Sequence, residues 1–537
     1  MSGLRTTLLI ASLVVPFAFL GACLVQALRE RALALQWLAP VPGLAAGLVA
    51  LFGEPVTLDL PAIGFSLLLD TSGALILCVA ALLWVILSAA FCRDGWPNNR
   101  FAVCWLLTMC GNIGVFLAGD LVSFYLFYAL VSIPAYGLFA FSADTEQKRA
   151  GAIYMAFTIV GEALLLLAFA MLVAGEPHGS TRIADVMAAL PASPWCNLTL
   201  GLVIAGFGIK IGTLPFNGWM PLTYRATPVA AAAVLSGAGV KAGVIGLIRF
   251  LPLGAQMEGW GEALVALGFL SAFYGVGLGL TQKNPKVVLA YSSISQMGVI
   301  AAALGAVLAQ GRADQSSDVA FYAANHLLVK AALFLAIGPL VMRGAQSAPL
   351  VLATVLALSL AGLPLTGGAL AKLAFKTPFG SGVEPILATL SSIATALLMT
   401  HFLNCIRVQR PSIDWNGSAS LVRCWPAIAL GAILLPWLLY PVVGDASTAL
   451  ELGNILQGLW PAPVGVGVAV ALSRSGLSLP RVPVGDTIVL YERAFRWLLA
   501  LGPRLETFDG YLRQWPFAGI SLLLIVLSLL TATIAGN

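Results

Sequence analysis

Charged residues are scarce in this 537-residue sequence: Asp, Glu, Lys and Arg together make up only 9% of the chain. A soluble globular protein carries about 25% charged residues, so this chain cannot cover a water-facing surface. It has instead 60% hydrophobic residues, a mean hydropathy of +0.95 and apolar runs of about 20 residues, the length of a membrane-spanning helix. Because backbone polar groups in lipid must be satisfied internally, the composition predicts an all-α polytopic membrane protein.

Motifs for metal, nucleotide or covalent chemistry are also missing. The eight cysteines form no CxxC motif and have no histidine at ligand spacing, and most lie in apolar runs. We therefore expect no metal site, no disulfide framework and no cofactor. The sequence has no nucleotide-binding loop and no nucleophile motif. It leaves open whether the chain is part of an enzyme. If a redox or hydrolytic reaction supplies energy to this chain, we expect partner subunits to carry out that reaction. The net charge of +5 is scattered through loops, so no nucleic-acid partner is expected.

Fourteen apolar segments have the length of membrane spans. They lie at roughly 7–27, 33–52, 71–92, 101–119, 121–142, 150–174, 198–222, 229–251, 260–281, 287–309, 319–342, 349–377, 384–406 and 425–444. A weak candidate at about 450–473 and a strong one at about 515–535 raise the count to sixteen. The first segment is expected to be a span and not a removed signal peptide.

Lysine and arginine concentrate in the loops that follow odd-numbered spans. The positive-inside rule places these loops in the cytoplasm of a bacterial inner membrane and the N-terminus in the periplasm. Between about 475 and 513, arginines alternate with Trp, Leu and Phe at roughly helical spacing. This pattern predicts an amphipathic helix along the membrane surface or against a partner subunit, with a solvated connecting helix as the alternative.

Six ionisable residues stand out inside predicted spans, where such a residue is costly and by default marks an ion pathway or a buried pair. They are Glu162, Lys210, Lys241, His326, Lys330 and Lys372. His326 and Lys330 are four residues apart and share one helix face. A single lysine could simply snorkel to the interface or pair with a neighbouring helix. Four lysines with few acids to pair them indicate a proton relay, because a lysine in a hydrated core can exchange protons near neutral pH.

Two prolines interrupt predicted spans: Pro215 in GTLPFNGWMP and Pro364 in AGLPLTGG. Proline removes a backbone hydrogen bond, and broken backbone at membrane depth is tolerated only inside protein or beside a hydrated cavity. Interrupted seventh and twelfth spans suggest two five-helix repeats of opposite topology. We expect helices 1–3 in residues 1–100, the first repeat in 101–251, the inverted second repeat in 260–406 and the C-terminal helices in 425–537.

Four stretches resemble the antiporter-like subunits of respiratory complex I, Mrp sodium/proton antiporters and membrane-bound hydrogenases. They are GIKIGTLPFNGWMPLTYRATPVAAAAVLSGAGVKAGVIGLIRF, NPKVVLAYSSISQMGVI, NHLLVKAALFLAIG and SLAGLPLTGGALAK. The resemblance covers roughly residues 70 to 410 and implies fourteen core helices, inverted repeats and proton movement along a central polar axis. It implies that Lys210, Lys241, the His326–Lys330 pair and Lys372 are successive relay groups, with Lys372 on the exit side.

The sequence departs from this family's pattern at two positions. Ala129, in DLVSFYLFYALVSIPAYG, stands where the family usually has a glutamate that pairs with the lysine at 210. Asn217 stands where a histidine is common. Since Glu162 lies in the next span with no other charge nearby, we hypothesise that it replaces the missing carboxylate and pairs with Lys210.

The sequence therefore predicts a proton-translocating subunit, with Na⁺ as a further possible ion, that works in the lipid bilayer with other membrane subunits. One alternative is a non-pumping structural subunit of a redox complex, related to quinone reduction or hydrogenase activity. The other is the membrane partner of an inorganic-carbon uptake complex, although Lys241 argues against it.

Overall fold

The computed structural model describes residues 2–61, 64–140, 144–342, 347–409, 419–475, 479–494 and 496. The chain forms two compact units, Met1–Val484 and Gly485–Asn537. All helices and strands named below lie in the first unit. In the second, residues 486–494 are helical. The predicted span at 515–535 and most of the predicted amphipathic segment at 475–513 lie outside the described residues.

The first half of the chain is almost entirely helical. Its α-helices are α1 (Ser2–Leu24), α2 (Gln26–Leu35), α3 (Val41–Leu51), α4 (Thr71–Asp94), α5 (Asn99–Leu117), α6 (Leu121–Ser132), α7 (Thr145–Gly175), α8 (Ile183–Ala189), α9 (Cys196–Ile211), α10 (Trp219–Ala226), α11 (Val229–Val234) and α12 (Lys241–Phe250). Short polar side chains begin several of them: Asp70 and Asp120 each accept a hydrogen bond from a backbone N–H of the helix that follows.

One element was not predicted, an antiparallel hairpin of β1 (Val56–Leu60) and β2 (Phe65–Leu69) between α3 and α4. It lies in a segment that the hydropathy pattern left unassigned. The buried guanidinium of Arg249, near the end of α12, donates to the carbonyl oxygens of Leu68 and Phe116, at 3.2 and 2.7 Å. These bonds join the hairpin to the ends of α5 and α12.

The second half continues the same architecture. Its α-helices are α13 (Glu258–Leu280), α14 (Pro285–Gln310), α15 (Ser316–Met342), α16 (Ser347–Ala361), α17 (Gly367–Ala374), α18 (Lys376–Phe379), α19 (Glu384–Gln409), α20 (Ala419–Leu439), α21 (Ala446–Ala449), α22 (Leu452–Leu459) and α23 (Pro461–Arg474).

Within the described residues, 14 helical segments are long and apolar enough to cross a membrane. They correspond to thirteen of the fourteen predicted spans and to the weak candidate at 450–473, which the structure forms as Leu452–Arg474. The remaining predicted span, the twelfth, is divided between α16 and α17. The chain is therefore an all-α polytopic membrane protein, as its composition predicts. The two inverted repeats stay a prediction.

Both expected helix breaks are present, and each begins at a glycine that precedes the proline. Helix α9 ends at Ile211 and is followed by Gly212, with φ of +70°, and α16 ends at Ala361 and is followed by Gly362, with φ of +92°. Only glycine adopts these left-handed angles at little cost. Pro215 and Pro364 lie two or three residues further on, inside the non-helical stretches. The glycines therefore begin the breaks, and the prolines keep the helices from resuming at once.

Burial identifies the centre of the bundle. In the most apolar parts of the spans Val229–Phe250 and Pro285–Gln310, 100% of the residues are buried, against 94% in Ala313–Val341 and 22% in Gly3–Leu24. A span enclosed by other helices on all sides does not need an apolar face for lipid, so it can carry polar groups. Lys241 lies in the first of these three central spans, and His326 and Lys330 lie in the third, Ala313–Val341.

Candidate functional site: a buried row of lysines

Lys241 begins α12 directly after a single π-helical turn, Leu235–Gly239. Such a turn leaves carbonyl groups without their usual partner in the helix. Asn112 of α5 compensates: its Nδ2 donates to the carbonyl oxygen of Ala238 at 3.0 Å, while its Oδ1 accepts from Trp84 Nε1 at 3.0 Å. Asn112 is fully buried. The amide of Asn112 therefore joins α5 to the distorted turn that precedes Lys241.

Lys241 contacts the eleventh span through a histidine. Its Nζ shares a hydrogen bond of 2.9 Å with Nδ1 of His326 and lies 4.0 Å from the sulfur of Met297. One turn further along α15, Lys330 Nζ donates to the carbonyl oxygen of Leu289 at 2.8 Å. Lys241, His326 and Lys330 are each exposed by 1% or less. We call these three residues the central cluster.

The central cluster combines three basic groups without a carboxylate in contact, in the part of the chain that the structure describes. Two positive charges about 4 Å apart repel by about 4 kcal/mol in a medium of effective dielectric constant about 20. The cluster therefore favours one excess proton over two. The Nε2 atom of His326 is buried with no hydrogen-bond partner among the described side chains and backbone groups. It is the ring nitrogen through which a proton could leave.

A second group of polar residues surrounds Lys210, at the end of α9. Its Nζ donates to the hydroxyl of Ser132 at 2.7 Å. Glu162 of α7 lies near enough to Lys210 for the two groups to interact electrostatically, but its Oε1 atom is buried without a hydrogen-bond partner among the described residues. Glu162 is 8% exposed. Glu162 and Lys210 therefore lie in the same region of the bundle, but the hydroxyl of Ser132 donates its proton to the carbonyl oxygen of Tyr128, and direct pairing of Glu162 with Lys210 stays a hypothesis.

The fifth span presents Ser132 to Lys210 in this arrangement. Ala129, where the family usually has its glutamate, lies one turn earlier on the same helix. Tyr128 places its ring centroid 5.5 Å from Lys210 Nζ, and Tyr154 donates to the backbone carbonyl of Ser132 at 2.7 Å. These groups line a cavity of about 10 Å³, close to the space of one water molecule. Lys210 therefore has polar and aromatic neighbours on α6 and α7.

Close packing of small residues lets α7 and α9 approach. A Cβ atom added to Gly206 would lie 3.2 Å from the carbonyl oxygen of Gly161. Gly161 directly precedes Glu162, and Gly206 is one turn before Lys210. The two glycines hold the helix backbones close enough for a carboxyl group to reach the lysine's surroundings.

Lys210 and Lys241 are not joined by a hydrogen bond within the described residues. They are related through packing, because a Cβ atom added to Gly243 of α12 would lie 3.1 Å from Cβ and Cγ of Lys210. Ser236 and Ser293 share a hydrogen bond of 3.1 Å between their hydroxyl oxygens in the same central region. The first pair and the central cluster are therefore neighbouring but separate polar groups.

Lys372 lies on α17, after the break in the twelfth span. Its Nζ donates to the carbonyl oxygen of Ala361 at 2.7 Å and to the hydroxyl of Ser392 on α19. The break supplies the first of these acceptors, since Ala361 is the last residue of α16. Lys372 also lines a cavity of about 390 Å³ that extends to Asn454 and Gln457 of α22. We call this space the exit cavity.

A chain of three side chains lies between the central cluster and the exit cavity. Tyr322, one turn before His326 on α15, donates its hydroxyl proton to Oε1 of Gln296 at 2.6 Å. Gln296 Nε2 donates to Thr395 Oγ1 at 3.1 Å, and Thr395 donates to the carbonyl oxygen of Ser391 at 2.7 Å. Tyr322 and Gln296 line the inner end of the exit cavity.

The six ionisable residues therefore fall into three places: the Glu162–Lys210 pair, the central cluster and Lys372 at the exit cavity. Sequence reasoning missed Ser132, Asn112, Gln296 and Tyr322. Two of these could have been found from helix geometry, since Ser132 lies three residues after Ala129 and Tyr322 lies four before His326. Asn112 and Gln296 act across helices, so no spacing along the chain identifies them.

A protein-family model described as "NADH:quinone oxidoreductase/Mrp antiporter, TM" matches residues 118–398. This range contains all six ionisable residues and both helix breaks. It is slightly more than half of the 537-residue chain.

Two relatives and one solved structure are similar to the chain. The A/B component of a probable K⁺/H⁺ antiporter of Rhizobium meliloti is 27% identical over 374 residues, 65% of this chain and 37% of that protein. The N component of the NADH-quinone oxidoreductase of Ectopseudomonas mendocina is 31% identical over 299 residues, 52% of this chain and 60% of that protein. The chain thus spans less than two thirds of both relatives. One chain of the Mrp complex from a Dietzia species superposes with a TM-score of 0.71 at 22% identity, over 86% of this chain and 100% of that one, which shows a common fold.

Proposed function

The chain belongs to the NADH:quinone oxidoreductase/Mrp antiporter membrane family, and from this premise we propose that it translocates protons as one member of a larger membrane assembly. The observation that carries the proposal is the row of buried basic groups in the most enclosed part of the bundle. Lys241 and Lys330 are exposed by less than 1% and have no acid in contact within the described chain. A purely structural bundle gains no stability from such groups, because an uncompensated buried charge is costly.

Protons would move stepwise from one group to the next. Lys210 takes a proton beside Glu162, whose negative charge offsets the positive charge of the lysine. The proton then passes to Lys241, through its 2.9 Å contact to His326, and to Lys330 on the same helix face. It leaves through Lys372 and the exit cavity.

Charge repulsion would give the relay its direction. A proton that arrives at Lys241 raises the free energy of a second positive charge on His326 or Lys330, because the surrounding protein screens poorly. The arriving proton therefore favours release of the one ahead of it. The free energy that drives these proton transfers in one direction would come from partner subunits of the assembly.

The assembly around the chain is also a proposal. Relatives are named as subunits of a K⁺/H⁺ antiporter and of NADH-quinone oxidoreductase, so a multisubunit complex in a bacterial inner membrane fits the family best. Na⁺ could move in place of, or against, H⁺. A non-pumping structural subunit is the main alternative, and the membrane partner of an inorganic-carbon uptake complex is the second. Lys241 and its contact to His326 favour the translocating role over both.

Proton flux in vesicles tests the proposal. Membrane vesicles containing the intact assembly with wild-type chain or with Lys241→Ala are compared by the quenching of a pH-sensitive dye. We expect Lys241→Ala to reduce proton flux to the background of vesicles lacking the chain. Lys148→Ala, which changes an exposed lysine in the first turn of α7, is the matched control and is expected to retain full flux. Equal flux in wild type and Lys241→Ala would favour the structural role.

A further inference from the structure

The carbonyl oxygen of Leu289 is shared by two side-chain donors. Lys330 Nζ donates to it at 2.8 Å, and the hydroxyl of Ser293, four residues later on α14, donates to it at 3.1 Å. The same hydroxyl oxygen lies 3.1 Å from that of Ser236, in the π turn before Lys241. The residues that make these hydrogen bonds are each exposed by 1% or less. The acceptor that holds Lys330 therefore also belongs to a buried network of hydroxyl groups.

This carbonyl oxygen has more donors than it can satisfy at once. Helix α14 runs unbroken from Pro285 to Gln310, so the oxygen of Leu289 also faces the backbone N–H of Ser293. A carbonyl oxygen has only two lone pairs. With the helix bond in place, the ammonium group of Lys330 and the hydroxyl group of Ser293 compete for the second one. How firmly this oxygen holds Lys330 therefore depends on where the Ser293 hydroxyl points its proton.

Ser293 has a second acceptor for its proton. A serine hydroxyl carries one proton, so Ser236 is the donor to Ser293 whenever Ser293 donates to Leu289. If Ser293 turns its proton to Ser236 instead, the oxygen of Leu289 is left to Lys330. The Ser236 proton then has a neighbour, since the hydroxyl of Tyr224 is buried without a hydrogen-bond partner among the described residues and lies close enough to Ser236 to interact. The same positions of the heavy atoms thus allow two arrangements of the hydroxyl protons.

The charge on Lys330 determines which arrangement is favoured. An ammonium group gains more from an oxygen acceptor than an uncharged amine does, because charge-assisted hydrogen bonds are the stronger ones. We propose that Ser293 is a positioning residue for Lys330, whose hydroxyl withdraws towards Ser236 when the lysine is charged and returns to the oxygen of Leu289 when the lysine is neutral. Only O–H bonds rotate in this exchange, so neither serine gains or loses a proton.

The inference rests on the proposed proton transfer and adds an adjustable acceptor to one relay group. A buried charged lysine without an acceptor is costly, whereas a lysine with an acceptor of its own holds its proton too firmly to pass it on. An acceptor that Ser293 takes back when the proton has left suits both states of Lys330. Two other basic groups face Lys330 electrostatically, Lys241 from α12 and His326 from α15. Both stay unchanged in the serine variants below, so a difference between those variants comes from the hydroxyl groups.

Alanine variants of the two serines are expected to act in opposite directions. Driven proton flux is measured over a range of pH in vesicles that contain the intact assembly with the full chain. Ser293→Ala removes the competitor, so Lys330 keeps its proton to higher pH, and the pH of maximum flux should rise by about half a unit or more. Ser236→Ala removes the second acceptor, so the Ser293 hydroxyl stays on Leu289, and the pH of maximum flux should fall by a similar amount.

Three further variants separate this role from packing. Ser293→Thr keeps the hydroxyl and is expected to keep the wild-type pH profile. Ser236→Cys, whose thiol is a weak hydrogen-bonding group, is the second variant at that position and should shift the profile in the same direction as Ser236→Ala. Ser292→Ala is the matched control, because the hydroxyl of Ser292 is as buried as that of Ser293 but has no hydrogen-bond partner among the described residues. It is expected to leave the profile unchanged.

Shifts in the same direction for Ser293→Ala and Ser236→Ala overturn the inference, because a merely structural pair loses the same contact in both variants. Shifts that are each opposite to the expected one overturn it as well. An unchanged profile in both variants also overturns it, since Ser293 then makes only an ordinary hydrogen bond within its own helix.

The same vesicles distinguish failure of the inference from failure of the proposed function. If Lys241→Ala abolishes driven flux while the serine variants keep the wild-type profile, only the role of Ser293 is wrong. If Lys241→Ala leaves driven flux unchanged, the relay itself is wrong, and the inference falls with it.

Discussion

Lys210 shows how much of a buried site can be predicted from single residues. The sequence predicts that Glu162 replaces a carboxylate expected at Ala129, and the structure places the hydroxyl of Ser132 against Lys210, with Glu162 near enough to interact electrostatically. The carboxyl group could be predicted from the sequence, because Glu162 is the one acid in a long apolar run. The hydroxyl could not, since its importance depends on the angle at which α6 meets α9. That Glu162 takes the place of the expected carboxylate stays a prediction.

At the residue scale, we expect Glu162→Gln to lower driven proton flux by about tenfold or more, because it removes the buried acid that interacts electrostatically with Lys210. Ser132→Ala removes one hydrogen bond to the charged lysine and is expected to lower flux by a smaller, several-fold factor. Both are measured as initial rates in vesicles. Glu258→Gln, at an exposed acid on α13, is the control. Unchanged flux in Glu162→Gln would show that this carboxylate does not take part.

At the scale of helices, irregular backbone lies next to the lysines of the proposed relay. The π turn before Lys241 and the breaks after Gly212 and Gly362 each place a lysine next to non-helical or irregular backbone. The two breaks were predictable, because proline and glycine punctuate helices locally. The π turn was not, since its freed carbonyl is satisfied by Asn112, 126 positions away from Ala238 in the chain. Local sequence therefore shows where a helix ends more readily than where it bulges.

The break in the twelfth span also shapes the exit side. Gly362 has φ of +92°, and a Cβ atom added there would lie 2.6 Å from Cδ of Lys372. Gly362→Ala should therefore strain the backbone by about 1–2 kcal/mol and push the Lys372 side chain away from Ser392 and the carbonyl of Ala361. We expect reduced thermal stability together with a several-fold loss of driven flux.

Gly64→Ala is the matched control for that variant. Gly64 has φ of +70° but no atom within 4 Å of an added Cβ, so substitution there strains the backbone without touching the relay. It should lower the melting temperature of the assembly while leaving flux unchanged. Equal flux losses in the two variants would mean that strain alone, and not displacement of Lys372, limits transport.

At the scale of the whole molecule, the helices that carry buried ionisable residues differ from the outer helices in the fraction of their residues that is buried. In the spans of Lys241, His326 and Lys330, 94% to 100% of the residues in the most apolar part are buried, against 22% in the first span. Hydropathy located these spans because their polar residues are few. It missed the hairpin Val56–Leu69, whose apolar strands are too short to read as spans. It also could not show that the six ionisable residues form three groups, because grouping depends on helix packing.

The central claim at this scale is that the three groups act in series from Glu162–Lys210 to Lys372. It is tested most directly by driven proton flux in vesicles with Lys210→Met, Lys372→Met and the double variant, each checked for intact assembly. Residues that act as one unit are not additive. We predict that both single variants fall to the same background flux and that the double variant falls no further. Substantial flux in either single variant, or a double variant whose loss is the product of two partial losses, would contradict a single route through both lysines.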